Sequence, residues 1–267
     1  MRYEEQAPSP AFAELISRFW SFEATGQDPL QVDHVVMPDG ACNLTLIDPG
    51  PSGRLYAVLA VPSAVALRVP IYRGVRYRGV RLQPGALRAF LGVDVAATNG
   101  KDLAVESLLP DCYVALCKNF SELPQSLAEF SAGIERVFAD RVDRTHMLDS
   151  AVQRVVALLI KSEGDVPLST LLESSGLSER QLRRRFVAEV GVTPKLFSRL
   201  RRVRRACADL LQNKRLGVAA ISSEHGFADQ AHFSHELRAI FGLSPQLLQQ
   251  YLSQIQHANV VELNGEA

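Results

Sequence analysis

Arg180, Arg183 and Arg184 stand at i, i+3 and i+4 in a stretch whose apolar residues Leu182, Phe186 and Val190 recur every four positions. On a helix this spacing sets three guanidiniums side by side on one stripe, opposite the apolar one. A core would do nothing for such a stripe. Phosphate oxygens or guanine edges would relieve its repulsion, because a guanidinium meets guanine N7 and O6 bidentately. Some fifty residues later, Gln230, Ala231, Ser234 and His235 take the outer positions of a similar stretch whose inner positions are Phe233 and Leu237. The chemistry offered is recognition of a polyanion.

Catalytic and metal chemistry find less support. His34 is the single histidine of the first 145 residues, so a three- or four-ligand metal site of the metallo-oxygenase kind is not expected there. Cys42, Cys112, Cys117 and Cys207 are far apart except for one Cys-x4-Cys pair, a pattern of reduced thiols in a cytosol. No cofactor is expected. No apolar run approaches the roughly 18–20 residues that cross a bilayer, and the N-terminus lacks a basic segment followed by an apolar one.

The charge distribution agrees. Lys and Arg total 29, as do Asp and Glu, across 267 residues. Residues 1–148 carry 14 basic and 17 acidic side chains, whereas residues 149–257 carry 15 and 10. A neutral total thus hides a basic C-terminal block, which fits a polyanion-binding module joined to something else.

The elements that must carry these residues can be read from periodicity. Alternating stretches at 32–36, 42–47, 55–61, 64–69 and 74–82, separated by Gly- and Pro-rich turns, predict an antiparallel β-barrel or sandwich. A short helix follows Pro84 and stops at Gly92, and a longer one covers about 123–139. Polar residues 141–147 form the expected linker. Beyond it the pattern is helical and repeats: Leu171, Gly176, Leu177, Leu182, Phe186, Gly191 and Pro194 return as Ile221, Gly226, Phe227, Phe233, Leu237, Gly242 and Pro245. Each copy reads as helix, glycine break, helix, with Ser178 and Asp229 capping the second helix. Between the copies, 194–212 predicts one long helix. Leu196, Phe197, Leu200, Val203, Cys207, Leu210 and Leu211 form its buried face, and Arg199, Arg201, Arg202, Arg204 and Arg205 crowd its surface. Nineteen residues span about 28 Å, close to the roughly 34 Å between major grooves on one face of B-DNA.

Residues 148–252 resemble the DNA-binding domain of the AraC/XylS family of bacterial transcription regulators. The carriers are Gly226-Phe227-Ala228-Asp229-Gln230-Ala231-His232-Phe233-Ser234 and Phe241-Gly242-Leu243-Ser244-Pro245. Arg18–Phe22, Met37–Leu44 and Gly79–Ala86 resemble the sensor-like region of one branch of that family. The resemblance implies an α+β chain of two domains: a cupin-like β-barrel or sandwich with helices at 1–140, and two helix-turn-helix units joined by a long helix at 148–254. A disordered tail is expected at 258–267. Base readers would be Arg180, Arg183, Arg184, Gln230, Ala231, Ser234 and His235. Phosphate contacts would be Ser178, Gln181, Lys195, Arg199, Arg201, Arg202, Arg205, His232 and Arg238. Trp20, His34 and Tyr77 are candidates for an effector pocket. His235 stands where the family often has Arg or Lys, and Ala231 is a poor hydrogen-bonding residue.

The implied function is a cytoplasmic, sequence-specific regulator of transcription, not an enzyme. Its partners would be double-stranded DNA, a second copy of the chain, a small-molecule effector, and RNA polymerase if it activates. Two other classes stand beside it. An enzyme fused to the module would need an activated cysteine segment of the Pro-Cys-His type, which the chain lacks. An interaction protein with idle helix-turn-helix units would not need the three arginines.

Overall fold

The computed structural model describes residues 1–24, 26, 28–50, 53–98, 100–140, 148–212, 218–253 and 256–257. The expected linker at 141–147 and tail at 258–267 lie outside them. Residues 1–104 form strands β1 (Arg2–Gln6), β2 (Ile16–Glu23), β3 (Gln31–Val36), β4 (Asn43–Asp48), β5 (Tyr56–Ala60), β6 (Leu67–Tyr72), β7 (Arg76–Leu82) and β8 (Leu103–Ala104), with α1 (Leu87–Leu91) and a 3-10 turn at Val95–Thr98 between β7 and β8. Helices α2 (Val105–Leu108), α3 (Pro110–Asn119) and α4 (Leu127–Phe138) follow. The remainder is α5 (Ser150–Lys161), α6 (Leu168–Ser175), α7 (Glu179–Val190), α8 (Pro194–Gln212), α9 (Val218–Glu224), α10 (Gln230–Phe241), α11 (Pro245–Ser253) and a two-residue β9 (Gln256–His257).

The α+β, two-part expectation holds. Among the described residues β8-β5-β4-β7-β2-β1-β9 form one sheet, antiparallel except for the β1–β9 pair, and β3 pairs with β6 as a separate two-stranded layer. The cylinder does not close, so the sandwich alternative is the fitting one. Alternation sends Phe19, Leu44, Leu46, Val80 and Leu82 to one face of the large sheet, onto α1, α3 and α4, and Phe22 and Tyr77 to the other.

Several boundaries differ from expectation, each for a local reason. The strand predicted at 64–69 is realised at Leu67–Tyr72, because the amides before it are taken: Val65 donates to Ser63 Oγ (3.1 Å) and Ala66 to the Ile240 carbonyl (2.7 Å). The helix predicted from 123 starts at Leu127, where Ser126 Oγ accepts from the Glu129 amide at 3.1 Å. Strands β1 and β2 and helix α3 had no counterpart in the reading of periodicity. Polar β1 is held by its ladder to β2, with Glu5 opposite Trp20.

The helical part carries two cores, and α8 serves both. Phe197 packs with Leu171, Leu182 and Phe186 of the first repeat, whereas Leu200, Val203, Cys207 and Leu210 pack with Ile221, Phe233 and Leu237 of the second. The second core also contains Phe22, Val35, Ile71 and Tyr77 from the strands, so one apolar cluster joins sheet, α8 and the second repeat.

Candidate nucleic-acid interface

Each repeat folds as its residues require. Gly176 (φ 68°) and Gly226 (φ 67°) occupy the left-handed region that turns the chain out of α6 and α9, which a side chain would strain. Ser178 and Gln181 form a reciprocal cap on α7: Ser178 Oγ accepts from the Gln181 amide (3.4 Å), and Gln181 Oε1 accepts from the Ser178 amide (3.1 Å). On α10, Asp229 Oδ1 accepts from the His232 amide at 2.7 Å. Both glycine breaks and both caps stand as read.

On α7, Leu182, Phe186 and Val190 are buried while Arg180, Arg183 and Arg184 are exposed, with no carboxylate or hydrogen-bond partner among the described residues. Arg185, one position on, is different. It clamps Asp149 bidentately (2.5 and 2.6 Å), and Asp149 also caps α5, so α7 is locked to α5. Burial pushes the Asp149 carboxyl up, but Arg185 and the Val152 and Ala151 amides outweigh it and hold the pKa below the usual range. On α10, Gln230, Ala231 and His235 are exposed and Ser234 is half-buried, opposite buried Phe233 and Leu237.

The long helix α8 has the predicted bounds, but its arginines do not crowd a free surface. Arg204 is buried, 3.8 Å from Asp39 of the turn before β4. Arg199 pairs with Glu236 of α10. Arg205 bonds Glu163 (3.0 Å) and lies 3.4 Å from Asp209. The Arg202 guanidinium sits 5.4 Å above the Phe227 ring. Arg201 is half-buried, and burial with the neighbouring Arg204 lowers its pKa to about 10. These side chains tie α8 to the sheet, to the turn between α5 and α6 and to the second repeat, because a long helix shared by three layers has little face left for solvent. The Leu211 side chain lies outside the described residues. Exposed phosphate candidates are Ser178, Gln181, Lys195, His232 and Arg238. His232 also has a local role: its Nδ1 accepts from the Ala228 amide at 3.2 Å and its ring stands edge-on to Phe227.

The N-terminal part grips the far ends of both outer helices. The Ala66 amide donates to the Ile240 carbonyl (2.7 Å) and Arg68 Nη2 to the Phe241 carbonyl (3.3 Å), at the C-terminus of α10. A Cβ at Gly191, which ends α7, would lie 2.6 Å from Val95. Both N-terminal halves, where the arginines and Gln230 lie, are left uncovered by the described residues.

Sequence reasoning missed the acidic partners of the α8 arginines. Asp209, four residues after Arg205, was within its reach; Asp39, Glu163 and Glu236 come from distant elements. Asp209 also accepts from His225 Nε2 at 2.8 Å, and Asp209, Glu224 and His225 bring ligand atoms within 4.8 Å. Arg205 beside this group opposes a cation there.

Between the two sheets lies a cavity of about 580 Å³. Trp20, His34 and Tyr77 all line it, together with Arg81 and, from α8, Arg204. His34 also contacts the helical part, with Nδ1 2.5 Å from the Tyr251 hydroxyl of α11.

Residues 171–251 match the model of a helix-turn-helix domain family, and residues 4–104 match a domain of unknown function, DUF6597. The transcriptional activator NphR of Rhodococcus sp is 35% identical over 115 residues, covering 43% of this chain and 33% of that protein. The chain therefore matches only a third of that relative's length. A solved structure of ToxT from Vibrio cholerae is 13% identical and covers 88% of this chain and 96% of its own, with a TM-score of 0.44. ToxT bound to (E)-4-(8-methylnaphthalen-1-yl)but-3-enoic acid is 12% identical with a TM-score of 0.45, covering 88% and 97%. With the two capped units, the glycine breaks and the shared long helix in place, residues 171–251 are a helix-turn-helix domain, similar to that of the AraC/XylS family.

Proposed function

We propose that this chain is a sequence-specific DNA-binding regulator of transcription in which α7 and α10 read adjacent major-groove segments. The observation that carries the reading is the bare stripe of Arg180, Arg183 and Arg184 on a helix pinned by a reciprocal cap and by the Asp149–Arg185 clamp. Recognition helices read bases with their N-terminal residues. In both units that end is exposed, whereas the C-terminal end rests on the N-terminal part. Arg180, Arg183 and Arg184 supply most base contacts, and Gln230, Ser234 and His235 supply fewer, with Ala231 offering only apolar contact to a thymine methyl. Ser178, Gln181, Lys195, His232 and Arg238 are the phosphate contacts. Arg199, Arg201, Arg202 and Arg205 act mainly by holding α8 rigid.

The division of labour follows the two parts of the chain. Residues 1–140 regulate, through an effector in the cavity walled by Trp20, His34 and Tyr77 and through pairing with a second copy, and residues 148–254 bind DNA. The protein works in the bacterial cytoplasm, on the nucleoid, and touches RNA polymerase if it activates. No helix among the described residues is long and apolar enough to cross a membrane.

A salt titration of binding tests the reading. Affinity for the bound site, found by genome-wide mapping, should fall steeply with salt while staying well above that for random duplex. Equal affinity for all duplexes would overturn it.

A further inference from the structure

The inter-sheet cavity has walls whose charges are already matched. Arg81, on β7, lies 3.4 Å from Glu5 and 3.2 Å from Asp39, and Arg204 reaches the same Asp39 at 3.8 Å. Burial acts against the Arg81 charge, but Tyr3, Asp39 and Glu5 outweigh it and raise its pKa. Asp102, the other charged side chain of the lining, accepts from the Val61 amide at 3.1 Å and is exposed at the rim. Inside, two arginines therefore face two carboxylates. Asn43 Oδ1 is held by Trp20 Nε1 at 3.3 Å. His34, bonded to the Tyr251 hydroxyl, and Thr45 add two polar side chains, and the rest of the wall is apolar or aromatic, with Tyr3, Trp20, Phe22, Tyr56, Tyr72 and Tyr77 around the space.

An ionised ligand entering this space would lose its hydration without gaining a free countercharge. An uncharged, flat, aromatic molecule loses little on leaving water and meets rings on several sides. The volume suits a compound of drug-like size. We propose that the cavity is a binding site for an uncharged aromatic small molecule, which touches α8 through Arg204 and so contacts the helix that spaces the two reading helices. The inference rests on the reading of residues 1–140 as the regulatory part, and names the class of effector and the wall through which it is sensed.

The test uses the full chain and two fluorescent probes sharing one skeleton: neutral N-phenyl-1-naphthylamine and its anionic relative 1-anilinonaphthalene-8-sulfonate. Trp20 is the chain's single tryptophan and lines the cavity, so a probe bound there quenches its emission by energy transfer. Saturable, stoichiometric quenching by the neutral probe is expected, with the sulfonate at least tenfold weaker. Thr45 of β4 and Val58 of β5 face each other across the sheet and both line the cavity. Thr45→Phe, or Val58→Phe should the first fail to fold, narrows the space and should weaken the neutral probe at least tenfold while DNA binding persists. Sulfonate binding as tight as the neutral probe, or neutral-probe affinity unchanged in a folded filling variant, would overturn the proposal. Cognate and random DNA affinities measured on the same samples separate the two readings. Failure of probe binding with intact DNA preference rejects this inference alone, and loss of DNA preference with intact probe binding rejects the regulator.

Discussion

The Arg199 guanidinium of the linking helix donates to the Glu236 carboxylate of α10, tying the spacer to the second reading helix across 37 residues. An arginine expected on DNA phosphates is thus spent within the protein, and Glu236, which follows His235 on the reading helix, is turned inward with its side chain largely buried.

Arg199→Ala should therefore show first in stability. The truncation leaves Glu236, with 14% of its side chain exposed, without its cation. A loss of about 1–3 kcal/mol is expected from an unmatched, largely buried charge. Thermal unfolding by circular dichroism should fall by several degrees. An unchanged Tm together with weaker DNA binding would restore the phosphate role.

Acid should loosen the packing of α5 on α7. The Asp149 pKa is depressed in the folded chain, so the carboxylate contributes stability above its unfolded pKa of about 3.9, and this is lost as pH falls through the lower folded value. Asp48 behaves alike: burial pushes it up, but the Leu123 and Gly50 amides and Arg76 outweigh that and lower it. Stability should drop below about pH 4. Asp149→Asn should be less stable than wild type near neutrality and show a shallower loss in acid; parallel pH profiles would contradict the clamp.

The Trp20 ring lies flat across the Gly79 backbone of the neighbouring strand, where a Cβ would come within 2.0 Å of the indole. Gly79→Ala must push the ring into the cavity or outward. A red-shifted emission and a destabilisation of about 1–3 kcal/mol are expected. An unaltered spectrum would mean that the indole does not rest there.

What was legible in the sequence was what chain neighbours decide. The glycine breaks at Gly176 and Gly226, the caps at Ser178 and Asp229, and the bounds of α8 follow from residues within a few positions of one another. The outward stripe of Arg180, Arg183 and Arg184 follows from the 3.6-residue period. What stayed hidden was set by partners distant in sequence. Asp39 of a turn receives Arg204, Glu163 receives Arg205, and Tyr251 reaches His34 and the Val35 amide (2.8 Å) from the far end of the chain. Strand β1 was hidden for the same reason: Glu4 and Glu5 argue against a strand until Arg81 is seen beside Glu5. Trp20, His34 and Tyr77 do meet around one cavity, from the two sheets that bound it, though no spacing along the chain brings them together.

The division between base-reading and structural arginines is tested most directly by Arg184→Ala, measured on the mapped binding site and on a shuffled duplex of equal length at several salt concentrations. The account predicts a loss of about 1–3 kcal/mol on the cognate duplex, relaxed preference at one base position, and a much smaller change on the shuffled one. An equal loss on both duplexes, or no loss on either, would contradict it.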